Sequence, residues 1–222
     1  MKIFSEEKKD IIKYKDAEML AVDFKVPRFE GEKEKVCKNL NNYYEACMQN
    51  FYNFCSKNYV KKLDREGFAA EKNCPRKQKA VLTYYIPYSS ENVLSVIADA
   101  GIYDGKSKKI YRLIRNFDLS DGYFLQTKKV VDTSFASRKF FMEKILDKIE
   151  LNENGFYYFE NAKYFAKRKF NINNFYFSSN GIAFFYEKNI LFNSDGIYPS
   201  YVVNFKEASK FLNMDFLKTN TY

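Results

Sequence analysis

Histidine and tryptophan are both missing from this chain of 222 residues. Without histidine there is no Ser-His-Asp triad, no Cys-His dyad, no histidine-held zinc and no histidine-ligated haem. Glycine is scarce, at 8 residues, too few to build phosphate-cradling loops, and no Walker, GxGxxG, HExxH or GxSxG motif occurs. The cysteines are Cys37, Cys47, Cys55 and Cys74, and they include no CxxC pair, so no metal site is expected. No run of 18 apolar residues is present, so no membrane span is expected. The opening MKIFSEEKKD lacks the apolar stretch of a signal peptide. The expected location is therefore cytoplasmic if Met1 is the true start, or extracytoplasmic if a leader precedes it.

What is abundant is aromatic and basic. There are 23 Phe and 19 Tyr, and 46% of residues are hydrophobic against 29% charged, which is globular usage and excludes wholesale disorder. The net charge is +9, with a pI near 9.1. Such a balance steers a chain towards nucleic acid, anionic lipid or anionic polymer, with a range set by salt. The plainer reading is a solvated surface, because the basic residues are spread along the chain. Lys greatly outnumbers Arg and Asn is frequent, which an AT-rich coding bias also explains.

Periodicity predicts an α+β chain: antiparallel sheets with a long N-terminal helix and shorter C-terminal helices packed on them. Residues 1–16 are charged and are expected to be a frayed tail. Leu20, Val22, Phe24 and Val26 alternate with polar or small neighbours, a strand pattern that Pro27 should stop. A helix follows over about 32–64, with Val36, Leu40, Tyr43, Cys47, Phe51 and Phe54 on one stripe. Leu40, Cys47, Phe51 and Phe54 are expected to be buried. Strands are expected at 80–88, 93–100, 109–117 and 123–131, as an antiparallel meander with a DLSDG turn at 118–122. Helices are expected at 135–150 and around Tyr158, Ala162, Phe165, Ala166 and Phe170. A hairpin turns at Asn180-Gly181, a strand covers 201–205 and a short helix 206–213. The organisation expected is a tail at 1–16, a strand-helix-meander module at 17–121 and a helix-hairpin module at 122–222.

Few residues invite chemistry. Asp99 and Asp104 bracket two glycines in ADAGIYDGKSKK, and a carboxylate pair could serve acid-base work or hold a cation. Turn formation explains the same residues. Three basic clusters stand out, at 76–79, 106–109 and 163–169 (KYFAKRK). The last interleaves Tyr164 and Phe165 with cations, as single-strand binders do. On a helix, however, Phe165 faces inward while Lys163 and Lys167 share an outer face. Cys47 and Cys55 fall on the apolar stripe and read as buried free thiols. They lie about 12 Å apart along a helix and cannot bond each other; if a bridge forms, Cys74 to Cys37 is the expected pair.

Several segments together resemble a known family. VDFKVPRFEG, with the helix from Glu32, resembles the N-terminal part of the exported domain of RsiV-type anti-sigma factors. VLSVIADAGIYDGKSKKIYRLIRNFDLSDGYFL resembles that domain's meander. NNFYFSSNGIAFFYEKNILF, with YVVNFKEASKFL, resembles its C-terminal module, Domain of Unknown Function 3298 (DUF3298). The likeness runs over residues 18–213. It implies a two-module α+β fold without catalysis, in a family that includes extracellular lysozyme-binding sensors and wall-associated domains. Two tracts depart from it. Asp104-Gly105-Lys106-Ser107 replaces a Gly-Gly-Ala-His tract, and residues 192–199 replace a Tyr-Glu-Ile-Ala-Pro-Tyr tract.

The expectation is a non-catalytic ligand- or protein-binding module, extracytoplasmic by resemblance, needing no cofactor. The alternatives are a cytoplasmic nucleic-acid binder and a carboxylate hydrolase. Lysozyme is itself basic, so a chain at +9 should bind it weakly or not at all. An anionic partner, wall polymer or acidic protein, is expected instead. The contacts are expected at the meander tip (Tyr103, Asp104, Lys106, Lys108, Lys109) and at Tyr198, where the departing tracts form loops.

Overall fold

Residues 2–14 are not frayed. In the computed structural model, which describes residues 1–65, 78–103, 108–152, 155–193 and 197–217, they form β1 (Lys2–Tyr14). It pairs along its length with β2 (Ala17–Glu30), from Lys2 opposite Glu30 to Tyr14 opposite Ala17. The charges that suggest a tail hold the ladder together. Glu7 meets Lys25 at 2.7 Å, and Lys9 lies opposite Asp23. Opposite charges on facing strands stabilise a pair modestly. The turn between them, Lys15-Asp16, has φ of 50° and 65°, positive at both positions as in a type I′ turn. A Lys-Asp pair carries none of the usual Asn-Gly signal, so nothing local announced this hairpin.

β2 runs through Pro27, which sits opposite Ser5. Its other neighbour, β3 (Lys79–Ser89), is registered in parallel against Ala21–Phe24, short of the proline. A residue without an N–H is tolerated where a strand is paired on one side. Then come α1 (Glu34–Phe54), a π-helical turn (Cys55–Tyr59) and α2 (Val60–Arg65). This helical stretch is the crossover that a parallel pair requires. β4 (Val93–Tyr103) and β5 (Lys108–Asp118) complete a sheet of order β1-β2-β3-β4-β5.

The expected fourth meander strand at 123–131 does not form. The DLSDG turn ends in a single bridge between Phe117 and Phe124, and α3 (Thr127–Val130) follows. α4 (Phe135–Leu151) begins at Ser134, whose side chain accepts from the Ser137 N–H, and stops at left-handed Asn152. α5 (Ala162–Lys169) starts later than expected, since Tyr158 lies in extended chain bridged to Phe192. β6 (Phe175–Ser178), β7 (Gly181–Phe185) and β8 (Ser200–Asn204) form a second, antiparallel sheet. At Gly181 a Cβ would lie 2.1 Å from the Val203 carbonyl oxygen, so only glycine fits. α6 (Phe205–Ala208), a 3-10 turn and α7 (Met214–Leu217) close the described chain.

The chain divides into two units, Met1–Tyr85 with Ile97–Leu113, and Ile86–Val96 with Ile114–Tyr222. The boundaries between these ranges fall within β3, β4 and β5.

In unit 1, Leu40, Tyr44, Cys55, Val60 and Leu63 are buried with Leu20, Val22 and Phe24 of β2. The expected stripe is only partly right. Cys47 and Phe51 are half-buried, and Phe54 is 42% exposed. Ordinary helical spacing accounts for the difference. Cys55 follows Tyr44 by eleven residues, about three turns, so the inward face runs Val36, Leu40, Tyr44, Cys55 and leaves Phe54 roughly 100° to one side. Asn41 pins α1 to β2 as a strand would, donating to the Phe29 carbonyl (3.0 Å) and accepting from its N–H (2.8 Å).

Unit 2 is built on rings. Phe141, Phe175, Phe177 and Phe184 are fully buried or nearly so, with Tyr186 and Tyr201 among them. Phe141 and Phe184 lie 4.8 Å apart, centroid to centroid. A polar stitch runs through this core. The Ser95 hydroxyl donates to the Asn116 side-chain oxygen (2.6 Å) and accepts from the Phe177 N–H (3.0 Å). The Asn116 amide donates to the Phe175 carbonyl (2.8 Å).

Candidate functional site

The residues expected to touch a partner fall in both units. Tyr103 ends β4 and is half-buried. Asp104 and Lys106 lie outside the described residues. Lys108 and Lys109 open β5, and only their backbone is described. Tyr198 belongs to unit 2 and is 7% exposed, a packed ring rather than a loop tip.

Both oxygens of Asp99 are held by Arg112, at 2.8 and 2.7 Å, as a two-pronged pair, and Asp104 lies outside the described residues. Of the basic cluster at 76–79, Gln78 is buried and accepts from the Tyr59 hydroxyl (2.6 Å), while Lys79 pairs with Asp23 (2.7 Å). Among the described residues no group of three or more Cys, Asp or Glu is placed to hold a metal ion. Nor is any helix long and apolar enough to cross a membrane. Cys37, Cys47 and Cys55 are free thiols, and burial pushes Cys55 up to about 12. Cys74, the other half of the expected bridge, lies outside the described residues.

The third basic cluster does form a surface. α5 buries Ala162 and Ala166 and half-buries Phe165. That leaves Lys163, Tyr164, Lys167, Arg168 and Lys169 exposed. Tyr164 is 58% exposed, and its hydroxyl accepts from Arg168 at 3.4 Å. Lys163 meets Glu150 of α4 at 3.0 Å. The segment before α5 adds a second ring. Phe156 stacks on Phe192 at 4.3 Å, and Tyr158 shares a hydrogen bond with the Tyr201 hydroxyl at 3.1 Å. With its two neighbours turned inward, Tyr157 must point outward, and it is 96% exposed. Burial raises the Tyr186 and Tyr201 phenols well above their ordinary value, so they stay neutral anchors. No pattern in GFYYFE singles out Tyr157, since four aromatic residues stand in a row; the packing of Phe156 and Tyr158 does.

No protein-family model matches this chain, and no curated protein matches it significantly. Solved structures do. One is a member of the DUF3298 family from Bacteroides fragilis NCTC 9343, 15% identical, with a TM-score of 0.64 over 96% of this chain and 93% of that one. The chain has the DUF3298 fold. A second DUF3298 family protein, from Pseudomonas aeruginosa PAO1, is 9% identical, with a TM-score of 0.63 over 99% of this chain and 97% of that one. The DUF3298 likeness read from the sequence motifs and the likeness of fold therefore agree. At these identities a shared fold carries no activity with it.

Proposed function

We propose that this DUF3298-fold chain is a non-catalytic binding module whose α5 face receives an anionic partner at the cell envelope. The observation that carries it is the pairing of Tyr157 and Tyr164 with four basic residues among the eight of α5. Exposed rings give a ligand flat apolar contact, and the cations give it attraction at a distance. A wall polymer with regular negative charge fits this face better than lysozyme, whose like charge opposes encounter. The sequence resemblance to envelope proteins supports the location.

The experiment is retention on an immobilised acidic polysaccharide across a salt gradient. The K167E/R168E pair should elute at clearly lower salt, and Tyr157→Ala should weaken binding at every salt. Unchanged elution of both variants would overturn the assignment of the face. Tighter retention on single-stranded DNA than on the polysaccharide would favour the nucleic-acid reading, which the same rings and cations would serve.

A further inference from the structure

The turn after β5 has the opposite character to a loose loop. Its backbone is bonded almost throughout. The Asp118 N–H donates to the Tyr123 carbonyl (2.9 Å), the Gly122 N–H to the Asp118 carbonyl (2.8 Å), and the Leu125 N–H to the Asn116 carbonyl (2.9 Å). The Tyr123 N–H donates to the Asp121 carboxylate (2.9 Å). Asp118 is the fastening. Its carboxylate is 2% exposed as a residue, accepts from the Ser120 N–H (2.9 Å) and is met by the Lys129 ammonium (2.6 Å). Yet this fixed turn holds two neighbouring rings in water, Tyr123 at 60% and Phe124 at 53% exposure. The Arg115 guanidinium lies 5.3 Å from the centre of the Phe124 ring, and Lys128 and Lys129 follow at the start of α3.

We propose that this turn is an interfacial anchor that seats Tyr123 and Phe124 in the headgroup layer of a bilayer containing anionic lipid. Phenol and phenyl rings favour that layer, where one end is wet and the body is apolar. Arg115 and Lys128 would meet the anionic headgroups, each basic residue near the surface adding to the attraction. A turn already held by Asp118 loses little conformational freedom on docking. An exposed aromatic pair on a mobile loop would collapse onto its own protein, and the bonds around Asp118 prevent that here. This site is separate from the α5 face and stands on its own residues.

The chain has no tryptophan, so Tyr123→Trp gives a single emitter at the anchor. Its emission should shift to the blue on phosphatidylcholine vesicles that contain phosphatidylglycerol. Little shift is expected on phosphatidylcholine alone. In co-sedimentation with the same vesicles, the Y123S/F124S pair should lose about tenfold in partition, and Lys128→Glu a similar amount on the anionic vesicles only. Phe124 also lies 5.6 Å from Phe117, so Tyr123→Ser alone provides a variant that leaves that packing intact. An emission spectrum unmoved by anionic vesicles would overturn the proposal. So would partition that survives Tyr123→Ser and Y123S/F124S but falls with K167E/R168E, since charge on α5 would then explain it.

Discussion

Unit 1 and unit 2 solve the same problem with different materials. Unit 1 buries mainly aliphatic side chains under one long helix, with Leu20, Val22, Leu40, Val60 and Leu63 around a few rings. The face of β1 and β2 that carries Glu7, Lys9, Asp23 and Lys25 holds a lattice of charges. Unit 2 fills its core with Phe and Tyr and ties it with the Ser95-Asn116 stitch. An aromatic core gains area quickly from few residues, but rings are rigid and leave little slack when one is removed. An aliphatic core under a helix edge can settle more easily. The two units should therefore differ in how sharply they respond to damage.

The largest expected effect tests that difference directly. Phe141→Ala in unit 2 should cost about 3–5 kcal/mol in urea denaturation, since the ring is fully buried between Phe184, Phe140 and Phe211. Phe51→Ala in unit 1 should cost less, roughly 1–2 kcal/mol, because Phe51 is half-buried and rests on Phe24 from one side. Equal costs would abolish the contrast.

Next are the two asparagine stitches. Asn116→Ala strands the Phe175 carbonyl and the Ser95 hydroxyl inside unit 2, and should cost about 2–3 kcal/mol. Asn41→Ala removes the partner of the Phe29 N–H and carbonyl, with no third residue in the network, and should cost less, about 1–2 kcal/mol. A reversed order would show that the aromatic core does not depend on its polar tie.

A smaller effect concerns acid. Burial of Asp118 works to raise its pKa, but the bonds from Lys129 and Ser120 outweigh it, and the net shift is downward. A depressed carboxylate contributes stability above its unfolded pKa of about 3.9, and loses it as pH falls through the lower folded value. Unit 2 of Asp118→Asn should thus be less stable than wild type at neutral pH, with the gap closing below about pH 4. A gap that persists at low pH would mean that the ion pair is not its source.

The smallest effect is one of rate. The three described cysteines all lie in unit 1, so thiol labelling reports that unit alone. Cys47, half-buried, should label well before Cys55, which is buried and held near 12. If Cys55 labelling accelerates in mild urea before unit 2 loses its near-ultraviolet signal, the units open separately. Simultaneous change would show one cooperative body.

Much of this was legible in the residues. Phe141, Ile145 and Ile149 fixed α4 because their spacing has no other use; the β6–β7 hairpin was also legible, although its loop is Ser179-Asn180 and Gly181 opens β7, where the Val203 carbonyl leaves no room for a side chain. What failed did so for identifiable reasons. β1 was missed because its stabilising partners, Lys25 and Asp23, are supplied by the next strand. Phe54 was misplaced because i, i+3 and i, i+4 steps both look apolar here, and the step that packs on β2 leads to Cys55. The surface of Tyr157 with α5 was missed because only the packing of Phe156 and Tyr158 exposes it.

The sequence by itself determined the α+β class, the long amphipathic helix, the basic balance and the exclusion of histidine chemistry, because each depends on composition or on spacing within one element. Tertiary structure alone decided that a charged N-terminal segment is a sheet edge, that β2 and β3 run parallel, and that the chain crosses between two cores along three strands. It also decided which of the described Phe and Tyr rings stand in water. These outcomes depend on which distant groups meet, and on the energy of burying a ring or pairing a charge that no local pattern records.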